Sequence, residues 1–208
     1  QIKNCQYDGM IITGAPVENL DFEQVEYWEE LCRIMEWTRT HVHSTFHICW
    51  GAQAGLCYHY GIPKRTLPRK LFGVYEHTII RKRSPLFRGF DDRFFAPHSR
   101  YSEAALDDLR ATPQLELLAL SQEAGVFGVK SADNRQFFIF AHPEYDDDTL
   151  AQEYFRDVEQ GLDTDLPAHY FPDNNPRRSP VVNWRSRPAA LHQLAQLLRL
   201  SDHSLRPE

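Results

Sequence analysis

The stretch Phe46-His47-Ile48-Cys49-Trp50-Gly51-Ala52-Gln53-Ala54-Gly55 constrains this chain more than any other. An apolar, strand-like segment runs directly into a Gly/Ala-rich helix start, with one cysteine at the corner. Strands that feed straight into helices belong to α/β architectures, in which helices pack on a sheet. The corner also suits a reactive thiol. The turn exposes the sulfur, the helix N-terminus favours its thiolate, and free backbone N–H groups can hold an oxyanion. Gly51, Ala52, Ala54 and Gly55 are small, so substrate and neighbouring backbone can come close. The arrangement is the cysteine counterpart of a hydrolase nucleophile elbow, with Trp50 following the nucleophile. Taken alone, the same stretch reads equally as a buried structural cysteine, because a free Cys is usually a small core residue.

Tyr7 to Gly14 reads as a short buried strand ending in a glycine turn, and Gly14 to Glu18 as a loop at its carboxyl end, where open α/β sheets bind ligands. Phe22 to Thr40 is expected to be one helix, with Val25, Trp28, Leu31, Cys32, Met35 and Glu36 at steps of three and four. Thr45 to Cys49 is the next strand and Ala52 to Tyr60 the helix after the elbow, an order that indicates a parallel sheet flanked by helices. Ile62 to Leu71 carries Pro63, Pro68 and four basic residues and reads as a solvated loop. Phe72 to Ile80 alternates like a strand. Gly89 to Tyr101 reads as a strand followed by a polar turn. Leu115–Ser121, Val126–Ser131 and Gln136–Ala141 read as further strands. The last is continuously apolar, as for a central strand buried on both faces.

That strand ends in His142-Pro143-Glu144-Tyr145. Pro143 forbids a helix there, and an extended His-Pro-Glu puts both side chains on the same side. Asp146 to Gln160 then reads as a helix that Asp148 can cap, with Thr149, Gln152, Glu153 and Arg156 along one face. Leu166 to Pro180 is loop-like. Val181 to Ser186 is expected to dock back on the domain, and Pro188 to Leu200 to close it as a helix. The expectation is a single domain over 1–208 with a loop-rich C-terminal extension over 162–208.

The net charge of −6 argues against nucleic-acid or membrane-surface partners, which call for a basic patch. No run of about 18 apolar residues indicates a membrane span. Cysteines at 5, 32, 49 and 57 form no C-x-x-C pair and no zinc pattern among themselves, so neither metal nor cofactor is expected and a reduced, cytoplasmic setting fits. The chain opens on Gln1 within a polar run just before a strand, and reads as a piece of a longer protein.

Cysteine catalysis needs a base that takes the thiol proton and later activates a second substrate. It also needs a group that fixes the base's tautomer, which a carboxylate does well. Cys49, His142 and Glu144 supply all three, from strand ends predicted to share one sheet edge. Individually, His142 reads as a surface or capping histidine and Glu144 as a first-turn acid; jointly, beside an elbow cysteine, they read as a triad.

Ile12-Thr13-Gly14-Ala15-Pro16-Val17-Glu18, Cys49-Trp50-Gly51-Ala52-Gln53-Ala54, Gly73-Val74-Tyr75-Glu76-His77, Ala96-Pro97-His98-Ser99-Arg100, His142-Pro143-Glu144-Tyr145 and Gln152-Glu153-Tyr154-Phe155-Arg156-Asp157 resemble the homoserine O-acyltransferases of methionine biosynthesis, the MetA-type family of O-acetyl- and O-succinyltransferases. Asn174-Asn175-Pro176 and Trp184-Arg185-Ser186 resemble its C-terminal signatures. The likeness runs over nearly the whole chain; the family's further N-terminal region is missing, and the tail beyond Ser186 diverges. The resemblance implies a fold like the class I glutamine amidotransferases, with flavodoxin-like layers, and ping-pong acyl transfer through Cys49. It implies His142 as base, Glu144 as its orienter, and the N–H groups around Trp50 as oxyanion hole. Arg156 would pair with the amino acid's carboxylate, with Lys70 and Ser99 also touching substrate. Glu18 implies acetyl-CoA as donor, since a glycine at that position in the family goes with succinyl-CoA. Partners implied are acetyl-CoA, L-homoserine and a second copy as homodimer. The rival readings are a succinyl donor, serine as acceptor, a glutamine amidotransferase-like hydrolase, and a non-catalytic binding domain. Against the hydrolase, glutaminases usually carry a small residue where Trp50 stands.

Overall fold

The computed structural model describes residues 5–180. The expected docking segment 181–186, the closing helix 188–200 and the Trp184-Arg185-Ser186 signature lie outside the described residues. The strands are β1 (Tyr7–Ile12), β2 (Val42–Ile48), β3 (Lys64–Ile79), β4 (Arg93–Ala104), β5 (Leu115–Ser121), β6 (Gly125–Ser131) and β7 (Gln136–Ile139). The helices are α1 (Trp28–His41), α2 (Trp50–Tyr60), α3 (Leu106–Arg110) and α4 (Thr149–Glu159).

One seven-stranded sheet runs in the order β1-β2-β7-β6-β5-β3-β4. β1, β2 and β7 are parallel, as expected for the part that carries the elbow. The remaining pairings are antiparallel, so the sheet is mixed where the sequence reading has it parallel. The links decide this. β5 and β6 are joined across a turn closed by Gly125 at φ 71°, and β6 and β7 across one containing Asn134 at φ 60°. Links this short can only reverse the chain. β7 is the central strand its composition predicts. Phe137 and Ile139 pack into the cluster on one face and Phe138 and Phe140 into the cluster on the other, the alternation of an extended chain.

Three local expectations change. The segment 62–71 is no loop, because β3 begins at Lys64 and runs through it. Pro68 is tolerated because the β3–β4 register slips between Thr66 and Leu71, leaving a place where a missing N–H breaks no ladder bond. The polar turn after Phe95 is likewise strand: β4 continues to Ala104, with Ser99 opposite Phe72. The first helix does not start at Phe22. A single 3₁₀ turn covers Phe22–Gln24, Val25 is extended (φ −76°, ψ 120°), and α1 begins at Trp28. The break turns Phe22 and Val25 onto Trp50 and Ala54, with Phe22 stacked on Trp28 at 4.9 Å; tertiary burial overrides the helical spacing.

Helix α2 lies hard against the end of β1. A Cβ at Gly51 would sit 2.6 Å from the Ile12 carbonyl oxygen and 2.7 Å from that of Thr13, both backbone atoms. Gly51→Ala therefore sets a helix-propensity gain of about 0.5–1 kcal/mol against a backbone overlap worth roughly 1–3 kcal/mol. The overlap wins, and the variant is expected to unfold at lower urea with an unchanged m-value. The described part of the C-terminal region is tied to β3 by a similarly close contact. Ala168 bridges Gly73, donating to the Phe72 carbonyl at 2.8 Å and accepting from Val74 N–H at 2.9 Å; Gly73 sits at φ 146° with no room for a side chain.

Candidate active site

The carboxyl ends of β2 and β7 are adjacent, with Ile48 opposite Ile139. Cys49 N–H donates to the Ile139 carbonyl at 2.7 Å, so the residues just beyond, Cys49 and the 140–144 turn, leave the sheet side by side. Cys49 caps α2 at φ 51° and ψ −116°, a left-handed conformation that non-glycine residues rarely adopt and that nucleophile elbows impose. The sulfur lies 3.9 Å from the Ser99 carbonyl oxygen and 3.9 Å from Glu18 Oε1. A cavity of about 400 Å³ opens here, lined by Cys49, His142, Glu144 and Glu18 and, across from them, by Lys70, Ser99 and Arg156. Every side chain singled out from the sequence except Trp50 faces this space.

His142 Nδ1 is 2.7 Å from Glu144 Oε1, the contact expected of the His-Pro-Glu turn. Its main-chain N–H donates to the Pro97 carbonyl at 2.9 Å, and its ring stacks on Tyr145 with centroids 4.2 Å apart. Nδ1 is thus committed to the carboxylate, leaving Nε2 for the sulfur. Burial alone would push this imidazolium down, but the charge of the Cys49 sulfur, together with Glu144, outweighs it and pushes the group up to about 10. Behind it, His98 and His77 share an Nε2–Nε2 hydrogen bond of 3.1 Å. His77 Nδ1 faces the Tyr75 carbonyl at 2.9 Å, so it carries its proton there, and His98 is the Nε2 donor. Burial holds both well below the usual histidine range, which makes a neutral wall behind His142.

Trp50 adjoins the cavity-lining Cys49 through its backbone. Its indole is buried with Phe22, Val25 and Ala54. Its N–H opens the first turn of α2, where helix N–H groups lack intrahelical partners, and the Gly14 backbone lies alongside: a Cβ there would be 3.4 Å from Cys49 Cβ and 3.7 Å from Trp50 N. Glu18, on the loop after β1, accepts Tyr101 N–H at 3.3 Å through Oε2. Burial pushes its carboxyl up, against the Tyr101 N–H, His142 and Lys70, which lower it; Glu153 raises it further.

Lys70 Nζ lies 3.1 Å from Asp157 Oδ2 and 3.5 Å from Glu153 Oε2. Ser99 Oγ donates to Glu153 Oε2 at 2.6 Å, and the Tyr145 hydroxyl donates to Glu153 as well. Arg156 pairs with Asp157, not with Glu153 as its spacing suggests. Sequence reading missed Glu153 and Asp157 as members of the site. Their partners come from β3, β4 and the 140–145 turn, and helix spacing carries no record of which distant strands face a helix. Asp148 makes no capping bond to the backbone; it accepts from Gln152 at 2.7 Å instead.

The fold defines a class: an α/β sheet flanked by helices of the class I glutamine amidotransferase type, here with a cysteine at the strand-to-helix elbow. Solved structures agree on the fold. The chain is similar to a glutamine amidotransferase from Thermotoga maritima (TM-score 0.67, 14% identity, 92% of this chain and 77% of that one). It is also similar to a glutamine amido transferase from Methylobacillus flagellatus (TM-score 0.63, 11% identity, 93% and 95%). The family model described as homoserine O-succinyltransferase matches residues 1–194, and the chain belongs to that family. Proteins named homoserine O-acetyltransferase are similar to it throughout: 55% identical over 185 residues in Agathobacter rectalis and 56% over 186 in Lachnospira eligens, each match covering 89% of this chain and 60% of the relative. One from Clostridium acetobutylicum is 54% identical, covering 89% and 62%. The chain thus spans about three fifths of the length of the curated relatives it matches. Among the described residues no helix is long and apolar enough to cross a membrane.

Proposed function

We propose that this chain carries the catalytic centre of a homoserine O-acetyltransferase acting in methionine biosynthesis in the cytoplasm. The observation that carries the proposal is the Cys49–His142–Glu144 arrangement on adjacent strand ends with Glu18 at the sulfur. Cys49 attacks the thioester carbonyl of acetyl-CoA, His142 delivers a proton to the departing CoA sulfur, and the acetyl group stays on Cys49 as a thioester. His142 then takes the hydroxyl proton of L-homoserine as that oxygen attacks the acyl-Cys, and the ester leaves with Cys49 restored. Glu144 holds the imidazole's tautomer. The Trp50 N–H, with a donor from the Gly14–Val17 loop, stabilises both tetrahedral oxyanions. Arg156 takes the substrate carboxylate, with Lys70 and Ser99 beside it. No metal or cofactor is needed, and the family resemblance supports a homodimer.

The succinyl alternative has the family model's description in its favour, and Glu18 speaks against it. A succinyl group would bring a second carboxylate to an acid whose charge burial already disfavours. Two like charges ~4 Å apart repel by about 4 kcal/mol at an effective dielectric near 20. Incubation of the whole protein with acetyl- or succinyl-CoA, followed by peptide mass spectrometry, is expected to load Cys49 faster with acetyl. Glu18→Gly is expected to shift the donor ratio toward succinyl by about tenfold or more, equivalent to ~1.4 kcal/mol. Faster succinyl loading by the unaltered protein overturns the donor assignment. Glutamine hydrolysis without any acyl-CoA adduct overturns the transferase in favour of the amidotransferase-like hydrolase.

A further inference from the structure

We infer that Asp157 is a positioning residue for the acceptor subsite, a single buried carboxylate that fixes both Arg156 and Lys70. Its Oδ1 accepts from Arg156 Nε at 3.0 Å and Nη2 at 2.7 Å, and its Oδ2 accepts from Lys70 Nζ at 3.1 Å. The acid is 3% exposed, whereas the Arg156 side chain is 57% exposed. A long solvent-facing side chain loses much rotamer freedom when it grips a ligand. Arg156 is already anchored at its root by the buried acid.

The contact is side-on, through Nε and Nη2 to one oxygen. It leaves the end-on edge of the guanidinium, Nη1 with the second Nη2 hydrogen, for a planar carboxylate. Lys70 is fixed just as firmly. Its side chain is 11% exposed, shared between Asp157 and Glu153, and its ammonium lies 4.0 Å from the Phe72 ring centroid and 5.7 Å from that of Tyr101. Two cations and two acids thus alternate, Arg156, Asp157, Lys70, Glu153, with Asp157 buried behind the three that line the cavity. Helix physics offers no competing reason for the acid. Asp157 lies in the last turn of α4, where the helix's negative end disfavours a carboxylate. Burial pushes its carboxyl up, but the two hydrogen-bonded cations outweigh it and hold it below the usual carboxylate range.

Resting on the acyl-transfer function proposed above, the test separates the two half-reactions in the whole protein. Asp157→Asn keeps the shape and removes the charge. Acetylation of Cys49 by acetyl-CoA is expected to stay within about twofold, because the donor step does not use Arg156. The homoserine KM is expected to rise roughly ten- to a hundredfold, with a smaller change in kcat. Asp157→Glu, which restores the charge on a longer arm, is expected to recover part of the loss. An independent readout is phenylglyoxal modification of Arg156, which is expected to quicken several-fold once the side-on contact is gone. An unchanged KM with unchanged Arg156 reactivity overturns the inference, as does equal loss of both half-reactions in the Asn and Glu variants, the pattern of a merely structural acid. If the unaltered protein forms no acetyl-Cys49, the acyltransferase function fails, and Arg156 reactivity alone still decides whether Asp157 positions it.

Discussion

Cys49→Ala is expected to leave no acyl adduct on the protein and to lower turnover by at least about 10⁴-fold, with the fold retained. The size follows from the mechanism. Removal of the nucleophile in a triad leaves only the residual effect of the oxyanion donors and binding. The retained fold follows from the backbone. Cys49 sits at φ 51°, and alanine carries the same Cβ penalty there as cysteine, so the elbow's strain is unaltered. The sulfur is the only heavy atom lost. The check pairs steady-state kinetics with urea unfolding. An acetyl adduct persisting on another residue would remove Cys49 from its role.

His142→Asn is expected to cost about 10²–10⁴-fold in turnover and to change how stability depends on pH. Asparagine can still donate to Glu144, so the turn keeps its shape while the titrating ring is gone. In the folded protein His142 is pushed up to about 10, above its unfolded value near 6.5. Its stabilising contribution is therefore fully present below about pH 6.5 and fades as pH rises through 10. Urea midpoints of the two proteins are expected to differ most at pH 6 and to converge by pH 10.5. A gap that widens with pH would mean that the ring is buried neutral and that the sulfur and Glu144 do not hold its proton. Alkylation of Cys49 by iodoacetamide at neutral pH should slow in the same variant, since an imidazolium beside a thiol favours the reactive thiolate.

Much of this was legible in the chain itself, for identifiable reasons. The elbow, β7 and the His-Pro-Glu turn are local events: a Gly/Ala helix start, an unbroken apolar run and a proline each act within a few residues. Because β2 and β7 are parallel neighbours, those local events also foretold that Cys49 and the His-Pro-Glu turn leave the sheet side by side. The mixed sheet, the passage of β3 through Pro68 and the early end of the Phe22 turn were misread, since each is decided by partners distant in sequence. Periodicity suggests a helix from Phe22, but burial of Phe22 and Val25 against Trp50 sets the true break. Glu153 and Asp157 went unread for the same reason. Glu18 and Lys70 came from the family resemblance, and both line the cavity.

The neighbourly placement of β2 and β7 couples chemistry to assembly. Between them in the chain lie β3, β4, β5 and β6, whose pairings are antiparallel, so β7 meets β2 only across a long stretch of intervening chain. Loop-closure entropy makes such non-local pairing late and slow. A half-built molecule could therefore hold a cysteine on a finished corner with no imidazole near it, chemically quiet until the last strand arrives. Acquisition of fast thiol reactivity during refolding would then serve as a clock for completion of the sheet, readable by a quench with an alkylating reagent.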